Sequence, residues 1–151
     1  MNVLLVDDDP GFRQALEFYM KDQGKTVFSA GDGEEGLKKL REEKIDFIVS
    51  DVYMPIMDGI KFQKAVNAVP EFAIIPFLFV SGFDDDHTLE AVRNSKNCGF
   101  MKKGRPLEEL EEWIMYLTTP PEKRGVARPG SMNMLNRSPG RSGRGDDWSR
   151  K

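Results

Sequence analysis

A chain of 151 residues, 39% of them hydrophobic and 31% charged, can form one domain with a sizeable core but not two ordinary domains. Its longest apolar run, residues 72–80, contains Pro76 and is far shorter than the roughly 20 residues of a membrane span. The single cysteine, Cys98, cannot form an internal disulfide, and the N-terminus does not resemble a signal peptide. These features predict a cytoplasmic protein with no membrane partner.

The charge is divided unevenly along the chain. Residues 1–118 contain 14 Lys and Arg against 22 Asp and Glu, whereas residues 119–151 contain 8 against 3. Pro120 and Pro121 mark the change, since a helix does not continue through two prolines. The remainder is rich in Pro, Gly, Ser and Arg and lacks apolar periodicity. We therefore expect an acidic globular domain at residues 1–118 and a basic, mostly disordered tail at residues 119–151.

Short apolar runs alternate with segments of helical spacing five times along the first 118 residues. The runs predict strands at residues 3–6, 26–28, 45–50, 76–80 and 100–103. Helices are predicted to begin near Phe12, Asp32, Gly59, Thr88 and Leu107. Continuous apolar runs are typical of strands that are buried on both faces. The alternation predicts an α/β fold, a doubly wound parallel sheet whose ligands bind at the carboxyl ends of the strands.

Polar side chains follow four of the five predicted strands. Asp7 and Asp8 follow the first strand, Asp51 the third, Ser81 the fourth, and Lys103 ends the fifth. The carboxyl ends of parallel strands meet at one edge of the sheet, so we expect these side chains to lie close together. Three neighbouring carboxylates repel each other, and a hard divalent cation such as Mg²⁺ relieves that repulsion.

The chemistry of this group suits phosphoryl transfer. One oxygen of Asp51 would be able to attack a phosphoryl group and form an acyl phosphate. The Lys103 ammonium and the Ser81 hydroxyl would then stabilise the negative oxygens of the transferred group. The residues alone therefore predict an aspartate that accepts a phosphoryl group.

These motifs together resemble the receiver domain of response regulators, the phosphoacceptor module of two-component signalling. The resemblance rests on four segments, namely Leu-Leu-Val-Asp-Asp-Asp-Pro at residues 4–10, Asp-Val-Tyr-Met-Pro-Ile-Met-Asp-Gly at 51–59, Phe-Leu-Phe-Val-Ser-Gly at 77–82, and Lys103 followed by Leu-Glu-Glu-Leu at 107–110. It covers residues 1 to about 118. It implies a flavodoxin-like fold with five parallel strands in the order 2-1-3-4-5, similar to a stand-alone chemotaxis regulator.

The resemblance implies a role for each acidic residue. Asp51 would be the phosphorylated residue, assisted by Lys103. Asp8 and Asp51 would bind Mg²⁺ directly, together with the main-chain carbonyl of Tyr53. Asp7 would act on the cation mainly through a bound water.

The resemblance also implies a conformational switch. Ser81 would move toward the phosphoryl oxygens, and the aromatic ring of Phe100 would follow it inward, which changes the face formed by the fourth helix, fifth strand and fifth helix. One departure from the family concerns the residue after Lys103. Relatives usually have proline there, often after a cis bond, whereas this chain has Gly104. We expect a trans bond, or a cis bond whose cost of roughly 2.5–4 kcal/mol is offset elsewhere.

A histidine kinase or a phosphotransfer protein would supply the phosphoryl group, and an unknown downstream protein would bind the altered face. No separate substrate is expected, so the chain is predicted not to be an enzyme beyond its own phosphorylation and dephosphorylation. Two alternatives stay open. The tail, with Arg137, Arg141 and Arg144, could bind nucleic acid or an acidic partner. A phosphatase of the haloacid-dehalogenase type would use Asp7 as its nucleophile, but that leaves the Asp51 segment unexplained.

Overall fold

The computed structural model describes residues 1–125 and 128–130. Its sheet consists of five parallel strands, which pair in the order β2-β1-β3-β4-β5. The strands are β1 (Asn2–Val6), β2 (Thr26–Ala30), β3 (Phe47–Ser50), β4 (Phe77–Ser81) and β5 (Cys98–Lys102). The predicted α/β class and strand order are confirmed.

Helices cover both faces of the sheet. Helices α1 (Pro10–Asp22) and α6 (Glu108–Thr118) share one apolar cluster with the first face. The second face packs against α2 (Gly33–Glu42), α3 (Gly59–Asn67), a short α4 (Pro70–Ala73) and α5 (Asp86–Arg93). In the described part of the chain, none of these helices is both long and apolar enough to cross a membrane.

Aspartates begin four of the helices. The side chains of Asp9, Asp32, Asp58 and Asp85 accept hydrogen bonds from main-chain N–H groups in the first turns of α1, α2, α3 and α5. Such caps satisfy amides that have no partner within the helix. Asp9 is therefore a helix cap, and Asp85, within the acidic residues 84–86, has the same structural role.

Some elements differ from the sequence-based expectations. Helix α4 was not predicted, because four residues beginning with Pro70 carry no helical periodicity. Strand β5 begins at Cys98 rather than at residue 100, with Gly99 against the ring of Trp113, where a Cβ would clash. In α6, Glu109 is buried, and its carboxylate pairs with Arg105 at 2.8 Å.

The bond between Lys103 and Gly104 is trans, and Gly104 has a φ of 98°. This φ lies in the left-handed region that glycine tolerates best. The chain therefore turns after Lys103 at a glycine with left-handed backbone geometry.

The first residues of the basic tail have defined structure. Pro121–Lys123 form a 3₁₀ turn after α6, and Arg124 donates hydrogen bonds to three main-chain carbonyls. These bonds fix a segment that has few apolar residues of its own. Residues 126–127 and 131–151, including the arginines at 137, 141 and 144, lie outside the described residues.

Candidate functional site

The two central strands deliver Asp7 and Asp51 to the same edge of the sheet. The Asp7 amide donates to the Ala30 carbonyl at 3.0 Å, and the Asp51 amide donates to the Val6 carbonyl at 2.9 Å. These bonds extend the parallel ladders by one residue, so the main chain of both aspartates is fixed by the sheet. Both side chains are buried, with exposed fractions of 1% for Asp7 and 8% for Asp51.

Asp8 joins these residues in a cluster of three carboxylates. One carboxylate oxygen from each of Asp7, Asp8 and Asp51 lies within 4.8 Å of the others. Asp8 is exposed, so the cluster opens to solvent on its side. A few carboxylate oxygens with room for water suit the coordination of Mg²⁺. The donor set therefore fits a hard divalent cation.

Lys103 brings a positive charge into the cluster from β5. Its Nζ lies 3.0 Å from Asp7 Oδ2 and 2.9 Å from Asp51 Oδ2, and 4.4 Å from the centre of the Phe12 ring. Burial opposes the charged form of Lys103, but its hydrogen bonds to Asp51 and Asp7 outweigh that effect and raise its pKa. Lys103 therefore stays protonated between the two carboxylates.

Burial is the main reason that the pKa of Asp7 is raised. The charge of Asp51 adds to the rise, while hydrogen bonds from the Asp9 amide and from Lys103 oppose it. Loss of solvent therefore contributes more to the raised pKa of Asp7 than repulsion from Asp51 does. The site thus favours a ligand that supplies further positive charge.

Main-chain amides orient the two buried carboxylates. The Val52 amide donates to Asp51 Oδ1 at 2.6 Å, and the Asp9 amide donates to Asp7 Oδ1 at 2.8 Å. Each carboxylate therefore has one oxygen on an amide and the other on Lys103. This arrangement fixes the side chains without any further residue.

The segment after Asp51 returns to it at Gly59. The Gly59 amide donates to the Val52 carbonyl at 2.6 Å, and Asp58 caps α3 through the Lys61 amide at 2.9 Å. A Cβ at position 59 would overlap the carbonyl of Asp51. The Asp-Gly pair is therefore required by close approach of the two backbones, and it supports the main chain that carries Asp51.

Ser81 lies at the same edge of the sheet, at the end of β4. Its carbonyl accepts the Lys103 amide at 2.8 Å, and its buried Oγ accepts the Phe83 amide at 3.3 Å. Phe100 is half-buried in β5 and packs against the apolar cluster that includes α5. Tyr53 is exposed in the loop after Asp51, where its ring meets Phe83 edge to face at 5.7 Å.

Two contacts at the site could not be read from sequence motifs. The Phe12 ring lies beside Lys103, and Arg13 donates to the Asp7 carbonyl at 2.6 Å. Both residues are in the first turn of α1, directly after the acidic run. Their proximity to the acidic run was the available signal, but helical spacing does not show which side chains of α1 reach Lys103.

Comparison with known proteins gives a family for this arrangement. The model of the response regulator receiver domain matches residues 3–115. An uncharacterized 14.6 kDa protein in the sodA1 3′ region of Leptolyngbya boryana is 33% identical over 124 residues, which cover 81% of this chain and 95% of that protein. The chemotaxis protein CheV3 of Helicobacter pylori is 32% identical over 111 residues, which cover 67% of this chain and 36% of CheV3.

Solved structures give the same result. The chemotaxis protein CheY4 of Vibrio cholerae superposes with a TM-score of 0.71 at 30% identity, over 77% of this chain and 97% of CheY4. A response regulator receiver protein from Pseudomonas putida superposes with a TM-score of 0.70 at 29% identity, over 76% of this chain and 94% of that structure. The chain spans about a third to a half of several longer curated relatives, such as the regulators AfsQ1 and DctR.

The family match extends over three quarters of the chain and includes every strand, so the haloacid-dehalogenase alternative has no remaining support. The chain belongs to the response regulator receiver family of two-component signalling.

Proposed function

We propose that the chain accepts a phosphoryl group on Asp51 from a histidine kinase or a phosphotransfer protein. The observation that carries the proposal is the contact of Lys103 Nζ with both Asp51 and Asp7, beside the exposed carboxylate of Asp8. Such a site combines a nucleophilic carboxylate, acidic residues for a divalent cation, and a mobile positive charge. No separate substrate is required for this activity.

In the proposed step, an oxygen of Asp51 attacks the phosphorus of a phosphohistidine. A new P–O bond forms, the P–N bond breaks, and the leaving imidazole takes up a proton. The Lys103 ammonium moves from the carboxylate oxygens to those of the transferred group, and the Ser81 hydroxyl donates to another of them. A bound Mg²⁺, held by Asp8, Asp51 and the Tyr53 carbonyl with Asp7 nearby, would neutralise phosphoryl charge.

The same geometry suggests how phosphorylation changes the protein. The main chain of Ser81 is hydrogen-bonded to that of Lys103, and Phe100 lies three residues before Lys103 on the same strand. Movement of Ser81 and Lys103 toward the phosphoryl oxygens would favour an inward position of the Phe100 ring. A downstream protein that distinguishes the two positions of the ring would bind the face formed by α5, β5 and α6 in a phosphorylation-dependent way. Helices α5 and α6 are the fourth and fifth of the predicted helices.

The test is phosphorylation of the full chain by a small acyl phosphate with and without Mg²⁺. We expect the intact mass to increase by one phosphoryl group only when Mg²⁺ is present, and hydroxylamine to remove that group as it does from acyl phosphates. Asp51→Asn should abolish the increase. Asp84→Asn, which removes an exposed carboxylate from the loop after β4, is the matched control and should leave it unchanged.

Incorporation that persists in Asp51→Asn and disappears only in Asp7→Asn would overturn the proposal. Asp8→Asn tests the role of the divalent cation separately, because exposed Asp8 does not form an ion pair with Lys103 in the structure. We expect that variant to need a higher Mg²⁺ concentration for the same rate.

A further inference from the structure

A basic cleft lies at the opposite end of β5 from Lys103. Its volume is about 550 Å³, and it is formed by the end of α5, the loop before β5, Tyr116 of α6 and the described part of the tail. We define the basic cleft by its four cationic residues, Arg93, Lys96, Arg124 and Arg128. Two of these residues follow residue 115, where the family match ends, so the tail adds half of the cleft's positive charge.

Arg124 is fixed in place by neutral partners. Its guanidinium donates to the carbonyls of Thr119 at 2.8 Å, Lys96 at 2.6 Å and Leu117 at 3.1 Å. It also lies 5.0 Å from the centre of the Tyr116 ring. Carbonyls and an aromatic ring orient the guanidinium but do not neutralise its charge.

Arg128 is held in the same way at the outer edge of the sheet. It donates to the carbonyl of Cys98 and lies over the rings of Trp113 at 5.4 Å and Tyr116 at 5.8 Å. The orientation of both arginines is therefore established before any ligand arrives. Binding to such preordered side chains costs less conformational entropy than binding to mobile ones.

The charges of the basic cleft are not paired with carboxylates in the described part of the chain. None of the ion pairs found among residues 1–125 and 128–130 includes one of its four cations. A single carboxylate residue, Glu122, is among the described residues that line it. Residues 1–118, which include Arg93 and Lys96, carry 14 Lys and Arg against 22 Asp and Glu. The cleft is thus a local positive region on a domain of net negative charge.

We propose that the basic cleft is a docking site for an acidic segment of a protein partner. Its cations are complementary to Asp and Glu side chains, and arginine can bind a carboxylate with two parallel hydrogen bonds. The net negative charge of residues 1–118 disfavours the same segment elsewhere on the domain, which restricts binding to this position. The proposal does not depend on phosphorylation of Asp51, because the cleft and the carboxylate cluster lie at opposite ends of β5.

The structure favours an acidic peptide over nucleic acid for two reasons. Single-stranded nucleic acid binds through bases that stack on aromatic rings, but the Tyr116 ring is already occupied by the guanidinium groups of Arg124 and Arg128. The positive region also consists of four cations on a domain of net negative charge, which disfavours a long polyanion.

The test measures binding of a short fluorescent peptide rich in Asp and Glu to the full, unphosphorylated chain by fluorescence anisotropy. We expect saturable binding that weakens as salt is added. The double variant Arg93→Glu, Lys96→Glu should weaken binding about tenfold or more, because two attractive charges become repulsive. Both side chains are exposed, so the fold should tolerate the change.

The matched control is Lys61→Glu, Lys64→Glu, which makes the same change in net charge on the exposed side of α3 and should have a much smaller effect. The neutral variant Arg93→Gln, Lys96→Gln should fall between the wild type and the charge reversal. Equal losses in the reversal and in the control would show a net-charge effect and overturn the proposal. Tight binding of a single-stranded oligonucleotide that the peptide does not displace would overturn it in favour of nucleic acid.

Discussion

The two ends of β5 carry opposite charge, and the protein stabilises each by a different means. At the carboxyl end, three carboxylates meet Lys103, which forms ion pairs with two of them. At the amino end, the guanidinium groups of Arg124 and Arg128 rest on carbonyls and aromatic rings. Lys103 compensates part of the negative charge in the first site, whereas the positive charge of the second is not paired with carboxylates among the described residues. The first arrangement suits chemistry on a buried group, whereas the second suits recognition of a charged partner.

The largest expected effect concerns the carboxyl end of β5, where the ammonium of Lys103 pairs with Asp7 and Asp51. Lys103→Met removes the ammonium that contacts Asp7 and Asp51, so the transferred phosphoryl group loses a positive partner. We expect phosphoryl uptake from a small acyl phosphate to slow roughly a hundredfold. Lys102→Met removes an exposed charge one residue earlier and is the control. Equal rates in the two variants would mean that Lys103 does not act on the transferred group.

The next effect tests the rigid backbone on which the carboxylate cluster depends. Gly59→Ala places a Cβ against the Asp51 carbonyl, and we expect a loss of about 2 kcal/mol in the free energy of unfolding. Gly82→Ala is the control, because a Cβ there meets nothing within 4 Å. Urea denaturation compares the two. A loss at Gly59 no greater than that at Gly82 would show that the loop after Asp51 yields to the added carbon.

A smaller effect is expected at the amino end. Arg124→Ala removes three hydrogen bonds from a cation to main-chain carbonyls, which should lower the free energy of unfolding by about 1.5 kcal/mol. Lys123→Ala changes the exposed neighbouring cation and should be close to neutral. If both variants unfold at the same urea concentration as the wild type, the described tail does not contribute to stability.

The smallest effect concerns the pH dependence of stability that arises from Cys98, the first residue of β5. Burial raises the pKa of the Cys98 thiol from 9.0 to about 12. Above pH 9 the unfolded chain releases this proton and the folded chain keeps it, so stability falls as pH rises. We expect the stability advantage of wild type over Cys98→Ala to shrink by roughly 1 kcal/mol between pH 8 and pH 10. A difference that stays constant over this range would indicate that the thiol ionises equally in both states.

The sequence carried enough information for the sheet and the carboxylate cluster. Apolar runs marked the strands, and the residues after them, such as Asp51 and Lys103, had to meet wherever parallel strands end together. The roles proposed for Ser81, Phe100 and the Tyr53 carbonyl stay predictions. Spacing within the chain could not show the contact of Phe12 with Lys103, since it depends on how α1 packs on the sheet.

The basic cleft was beyond sequence reasoning for a different reason. Arg124 and Arg128 donate hydrogen bonds to main-chain carbonyls, which every residue of the chain carries, so no sequence motif identifies their partners. Composition marks the tail as basic, but it does not register hydrogen bonds from guanidinium groups, so it could not show that Arg124 binds back to the Lys96 carbonyl. Helix α4 was missed similarly, since four residues are too few to show a period.

The order of the strands has a consequence for synthesis of the chain. Asp7 and Asp51 become neighbours as soon as β1 pairs with β3, but Lys103 is added 52 residues after Asp51. In a growing chain, the carboxylates of Asp7 and Asp51 therefore lie together without Lys103 until β5, the outermost strand, pairs with β4. Until then water solvates the acidic edge, and docking of β5 completes the sheet and brings the Lys103 ammonium between Asp7 and Asp51.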